Sequence, residues 1–183
     1  MHGMLTVICG PMFAGKSTQL IERVRGARDL GLQTVVVKPS RDDRYDAARV
    51  VTHNGATLDA VAVRGVDEIQ SAVRGVPPGA LFLAVDEAHF FGDSLVPLVH
   101  RLVNTGARVL VVGVERDHRG RPFAPFPELL VEADEVIKMT STCARCGGRA
   151  VHSQRMFGDD AHIVVGGAGM YEARCRSCFE GRS

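Results

Sequence analysis

The chain has 183 residues, 45% of them apolar, and its 22 basic and 21 acidic residues leave a formal charge of +1. That length suits one core with room for a small appendage, and so even a balance supplies no field to attract nucleic acid or an anionic membrane. No apolar run approaches the ~20 residues of a membrane-spanning helix, and no basic segment with a cleavage site precedes the first apolar run, so a cytoplasmic protein is expected.

In chain order, the apolar run Leu5–Cys9 predicts a buried strand and Thr18–Val24 a helix. Between them, Gly10-Pro11-Met12-Phe13-Ala14-Gly15-Lys16-Ser17, followed by Thr18, fits the phosphate-loop pattern G-x-x-x-x-G-K-[ST]. A strand–loop–helix of this kind turns backbone N–H groups inward and adds the positive end of the helix dipole, so it holds phosphate oxygens. Lys16 is expected to reach the terminal phosphates, and the Ser17 hydroxyl to join the shell of the Mg²⁺ that accompanies ATP. Cys9 reads as a small core residue.

The β-branched run Thr34–Lys38, closed by Pro39, predicts a second parallel strand, and Arg41–Asp46 a polar loop. Val50–Val63 reads as one or two short strands around the turn at Asn54-Gly55. Val66, Ile69, Ala72 and Val73 recur at helical spacing before Pro77-Pro78. Leu81–Val85 is a continuous apolar strand that delivers Asp86 and Glu87 at its C-terminal edge, where ligands gather in open α/β sheets. Asp86 has the pattern of the acid that serves nucleotide-bound Mg²⁺; alternation along the strand turns Glu87 to the other side, toward a second substrate. Read literally, Asp86-Glu87-Ala88-His89 is also the D-E-A-H box of nucleic-acid-dependent ATPases. Size opposes that reading, because such motors clamp ATP between two α/β lobes and need a basic groove.

Asp93 is placed to cap a helix with Leu95, Leu98, Val99, Leu102 and Val103 on one face, ended by Gly106. Val109–Val114 predicts another buried strand, and Glu135–Met139 the last strand of the core. Between them, 116–127 holds three prolines and little periodicity, as a long ordered loop with a functional task would.

From about Thr140 the composition changes. Cys143-x-x-Cys146 and Cys175-x-x-Cys178 are two knuckles separated by 28 residues, spaced for four thiolates around Zn²⁺ in a closed, structural site. A redox role for either pair is the competing reading. The fold class expected is α/β: a phosphate-loop NTPase-like parallel sheet flanked by helices (1–139), with a small zinc-ribbon-like lobe (140–183).

Taken together, these blocks resemble the type II thymidine kinase family from about Met4 to Phe179. The carriers are the loop from Gly10, Lys38 with Asp42-Asp43-Arg44-Tyr45, Thr52-His53, Asp86-Glu87-Ala88-His89-Phe90-Phe91, and Arg119-Gly120-Arg121-Pro122-Phe123. The two cysteine pairs and Val165-Gly166-Gly167-Ala168 with Tyr171 complete them. The resemblance implies transfer of the γ-phosphoryl of ATP to the 5′-hydroxyl of thymidine, with Glu87 as general base and Ser17 and Asp86 serving Mg²⁺. It implies that Asp42, Asp43, Arg44 and His89 join Gly10–Thr18 and Asp86 around the phosphates, and that the loop 116–127 closes over the nucleoside as a lasso. Main-chain groups of His162, Ile163, Val164, Val165 and Gly166 would meet the base, with Met12, Phe90, His118, Phe123, Ser153 and Tyr171 lining its pocket. Members assemble as homo-oligomers, typically tetramers, and dTTP is a candidate feedback inhibitor.

Some positions depart from the family pattern: His89 stands where Gln is usual, Glu115 for Asp, Ala124 for Gly, and His118 for an aromatic Phe that touches the base. An imidazole there buries less apolar area and charges near neutral pH, which would make nucleoside binding pH-sensitive; a solvent-facing histidine is the other reading. Adjacent Phe90 and Phe91 divide into one pocket and one core residue, and Tyr171 is either a nucleoside contact or a ribbon residue with a satisfied hydroxyl. Because His118 and Ser153 fall where specificity is decided, a kinase for a different nucleoside stays open as the alternative.

Overall fold

The computed structural model describes residues 2–40, 49–51, 55, 57–157 and 169–181. Its centre is a six-stranded parallel sheet in the order β5-β2-β6-β7-β1-β8. The strands are β1 (Met4–Cys9), β2 (Gln33–Pro39), β5 (Val61–Val63), β6 (Leu81–Val85), β7 (Arg108–Gly113) and β8 (Glu135–Lys138). Helices cover both faces, as near-continuous apolar strands require. On one face Leu5, Val7, Cys9, Leu83, Val85, Val109 and Val111 pack with buried residues of α2 (Val66–Ala72), α3 (Leu95–Asn104) and α4 (Phe126–Glu132). Their alternates Ile8, Ala84, Leu110 and Val112 pack on the other face against Leu20, Ile21 and Val24 of α1 (Lys16–Asp29). Cys9 is a core residue, its thiol pushed up to about 11 chiefly by burial.

Among the described residues between β2 and α2 there are three short strands rather than one or two. β3 (Arg49–Val51) and β4 (Thr57–Asp59) form an antiparallel pair, while β5 leaves them to join the edge of the main sheet in parallel with β2. Asp93 does not cap α3. It lies in a 3₁₀ turn, Gly92–Ser94, that runs directly into the helix, and the Ser94 hydroxyl donates to the Phe91 carbonyl at 2.6 Å instead. The proline-rich loop is also shorter than its composition suggests, because Phe126 and Pro127 already belong to α4; proline is tolerated in a first helical turn, where its missing N–H has no intrahelical partner.

Among the described residues, the lobe after the sheet has two antiparallel pairs: β9 (Ser141–Thr142) with β10 (Arg149–Ala150), and β11 (His152–Arg155) with β12 (Tyr171–Arg174). The expected strand around His162–Val165 lies outside the described residues.

Phe126 anchors α4 on the end of β7: it is fully buried, and a Cβ built on Gly113 would come within 2.9 Å of its ring. Phe126→Ala should lower the unfolding free energy by about 3–5 kcal/mol, read from urea denaturation; a loss under ~1 kcal/mol would mean that the site collapses to fill the space.

Candidate functional site

The turn from β1 into α1 is shaped by close approach. A Cβ on Gly10 would lie 2.6 Å from the Met139 carbonyl oxygen just after β8, so only glycine fits where the loop leaves the sheet. Phe13 adopts a left-handed conformation (φ 64°) with its ring largely exposed, and Gly15 (φ 81°) opens α1 by accepting the N–H groups of Thr18 and Gln19. The Lys16 ammonium folds back over the loop and donates to the carbonyls of Gly10 (3.1 Å) and Pro11 (2.7 Å). The loop tip is also tied to the cysteine-bearing lobe. The Met12 N–H donates to Ser153 Oγ at 2.9 Å, and Ser141 Oγ donates to the Phe13 carbonyl at 3.1 Å. Ala14 is buried, while Ser17 and Thr18 are half-buried at the start of α1.

β6 and β1 are separated by β7, and their C-terminal ends face the same edge because all three run parallel. Asp86 is buried there; its N–H continues the ladder to the Val37 carbonyl and its Oδ1 accepts the Glu87 N–H at 3.0 Å. Burial, with the neighbouring charge of Glu87, pushes its carboxyl up to about 7, against the pull of Lys16 and Lys38. Lys16 is shifted oppositely: burial lowers its pKa, and Glu87, Asp86 and Glu115 hold it up. The loop lysine and both carboxylates thus share one electrostatic neighbourhood. Glu87 itself is left-handed (φ 50°), so the pleat of the strand does not set its direction as the alternation rule supposes; it opens a 3₁₀ turn, Ala88–Phe90, with its side chain 44% exposed.

His89 on that turn is buried, its Nε2 3.3 Å from Glu87 Oε2 and its ring centroid 4.3 Å from Phe90 and 5.2 Å from Phe123. The imidazole therefore faces the carboxylate and two aromatic rings. Phe91 joins the core, while Phe90 stays half-buried beside His89.

After β7 the loop is ordered by its own acid. Asp117 is buried, and its Oδ1 accepts the N–H groups of Arg119 (2.8 Å) and Arg121 (2.9 Å), while Arg116 bridges Pro122 across the loop neck. His118 is only 8% exposed, which removes the solvent-facing reading. Gly120, at φ 79°, packs against Phe179, whose ring stacks on His152 at 4.2 Å. Tyr171 is buried, with its hydroxyl accepting Arg155 Nε at 3.2 Å and the guanidinium 5.7 Å from its ring centre. Its hydroxyl is thus satisfied within the lobe. Asp42, Asp43, Arg44 and the stretch His162–Gly166 lie outside the described residues.

The four paired cysteines converge: one sulfur from each lies within 4.8 Å of every other, and Cys146 and Cys175 are 3.7 Å apart. All are free thiols. Backbone N–H groups, that of Cys175 first, hold Cys143 down to about 6, whereas S–H···S bonding with Cys175 and Cys146 pushes Cys178 up to about 12. A set that competes for protons in this way fits a cation that takes all four thiolates, and the cluster is consistent with a structural zinc.

Several residues that position the site carry little signal in the sequence. Gly113 and Met139 act by proximity alone, and Arg155 is a lone cation in a polar run. Glu115, buried with Lys138 at 3.4 Å, was legible only as a departure from a pattern. Asp117, preceding Arg119-Gly120-Arg121, has the composition of a side-chain-bonded turn and could have been found that way.

A family model described as thymidine kinase matches residues 3–179. Among similar proteins are those named thymidine kinase from Deinococcus radiodurans, 40% identical over 96% of this chain and 89% of its own length, and from Deinococcus deserti, 41% identical over 95% and 93%. Another, from a Rhodothermus species, is 38% identical over 97% of this chain and 82% of its own length. No described helix is long and apolar enough to cross a membrane.

Two measurements probe this geometry. The folded chain binds the Asp86 proton more tightly than the unfolded chain, whose carboxyl titrates near 3.8, so stability falls as pH rises from there toward about 7. In magnesium-free buffer Asp86→Asn should flatten that decline between about pH 5 and pH 7.5, measured by urea midpoints; equal slopes would deny Asp86 the effect. Cys146→Ser should reduce zinc content below about one ion per chain and lower the melting temperature by roughly 10 °C or more. Unaltered metal content and melting would exclude a structural ion.

Proposed function

The chain belongs to the thymidine kinase family of ATP-dependent phosphotransferases, and from that premise we propose that Glu87 is the base that takes the 5′-hydroxyl proton of thymidine as the γ-phosphoryl of ATP is transferred. The observation that carries the reading is the shared electrostatic neighbourhood of Lys16, Asp86 and Glu87 at the edge of the sheet where β1 opens into the phosphate loop. Phosphoryl transfer asks mainly for positioning and charge neutralisation, and a lysine beside a loop of inward amides supplies both. A half-exposed carboxylate next to a buried one divides the work: Glu87 faces the acceptor, Asp86 the cation.

Ser17 and Asp86 would hold the Mg²⁺ that arrives with ATP, and a buried carboxyl whose charge is opposed by burial suits a divalent cation. When bound, that ion neutralises charge on the phosphate oxygens. The N–H groups of Gly10 and of residues 13–17 would cradle the phosphates; Pro11 has none, and those of Met12 and Thr18 are already donated to Ser153 Oγ and the Gly15 carbonyl. Asp42, Asp43 and Arg44 are assigned to the phosphate end. Phe90, Phe123, His118 and Tyr171 are assigned to the thymine slot, with main-chain groups of His162–Gly166 reading the base edge. In this reading 1–139 handles ATP and 140–183, stapled by Zn²⁺ on Cys143, Cys146, Cys175 and Cys178, completes the nucleoside site. By the same membership the working form is a cytoplasmic homo-oligomer, a tetramer, and dTTP would bind through the slot that accepts its base.

With ATP and Mg²⁺, thymidine should be phosphorylated in preference to other nucleosides in a panel. Glu87→Gln should keep ATP affinity while kcat drops by about 10²–10⁴, and Lys16→Ala should weaken both. Undiminished transfer by Glu87→Gln would remove it as the base.

A further inference from the structure

Glu87 is poorly constrained by its own backbone and exposure. Its left-handed φ separates it from the strand pleat, its side chain is nearly half exposed, and a glutamate side chain has among the largest rotamer freedom of any residue type. A base must hold one oxygen within hydrogen-bond reach of the proton it takes, so that freedom works against the chemistry. We propose that His89 is a positioning residue for this reaction, its Nε2 fixing the Glu87 carboxylate in the direction of the acceptor hydroxyl.

The imidazole is suited to this because the protein fixes it from several directions. It is 7% exposed, flanked by the rings of Phe90 and Phe123, and its Nδ1 edge abuts the end of β7, where a Cβ on Gly113 would come within 3.0 Å of Nδ1. What remains is Nε2, directed at Glu87 Oε2 across 3.3 Å. The left-handed Glu87 at the head of the 3₁₀ turn brings the two side chains together from positions two apart, which an α-helix would not do at that spacing. Phe123 belongs to the loop that follows β7, so the ring that steadies His89 comes from the segment assigned to cover the nucleoside. Expectation from the sequence had put His89 at the phosphates; the contact with Glu87 assigns it to the base instead.

The inference rests on Glu87 being the base, and the experiment separates the two. Steady-state kinetics would be measured on the full-length protein and on Glu87→Gln, His89→Leu, His89→Gln and the double variant Glu87→Gln/His89→Leu. His89→Leu, which keeps the bulk and removes the N–H, should lower kcat about ten- to a hundredfold while KM for ATP stays within about twofold. His89→Gln, whose amide presents an N–H, should recover most of kcat, and the double variant should lose no more than Glu87→Gln alone. His89→Met serves as a second perturbation should His89→Leu fail to fold: it too removes the ring N–H at similar volume and should also depress kcat. Normal kcat in His89→Leu beside an inactive Glu87→Gln would overturn the positioning role and leave the base intact. A raised KM for ATP at unchanged kcat would return His89 to the phosphates, and a fully active Glu87→Gln would overturn both readings.

Discussion

Two like charges side by side, one of them buried away from water, are the constraint around which this molecule is arranged. Asp86 and Glu87 are consecutive, the first buried and raised to about 7 by burial and by its neighbour, with the charges of Lys16 and Lys38 pulling the other way. A parallel sheet solves the placement problem, since every strand's C-terminal end lies on one edge and the apolar strand interiors keep water from the other side. The solution leaves the carboxylates undersupplied with positive charge. In the function proposed above, a metal nucleotide would offer what is missing, and the same desolvation that costs stability would favour that ligand.

The supporting architecture is largely a matter of where bulk is withheld. Gly10 lets the loop pass the carbonyl of Met139, and Gly113 lets the Ala88–Phe90 turn and Phe126 meet over the end of β7. Gly120 performs the same service for Phe179 in the loop beyond. Each removes a methyl-sized obstacle where two segments distant in sequence must touch. Around those gaps polar groups fix the loops: Asp117 ties down its own loop by accepting two backbone N–H groups, and Glu115 takes Lys138 from β8, two strands along the sheet from β7.

How much of this could be read from the residue string depended on range. The loop Gly10–Ser17 and the strand ending in Asp86-Glu87 were legible because each is a contiguous pattern whose flanks must be a strand and a helix or an apolar run. The four cysteines were legible because thiolate spacing is itself chemistry. The capping role of Asp93 was misread because a favourable residue type does not reveal that a 3₁₀ turn already continues into α3. Alternation misled at Glu87 for a related reason, since it presumes a strand that persists past Val85. Contacts such as Met12 with Ser153, 141 positions apart, leave no periodic trace, and the reach of β7 between β1 and β6 is a property of sheet order alone.

The two bonds that join the tip of the first loop to Ser153 and Ser141 give the molecule a mechanical property. Each contributes on the order of 1 kcal/mol, and together they hold the loop against both ribbons. A disturbance that frays either ribbon therefore pulls directly on the turn from β1 into α1, so these parts of the chain do not loosen independently.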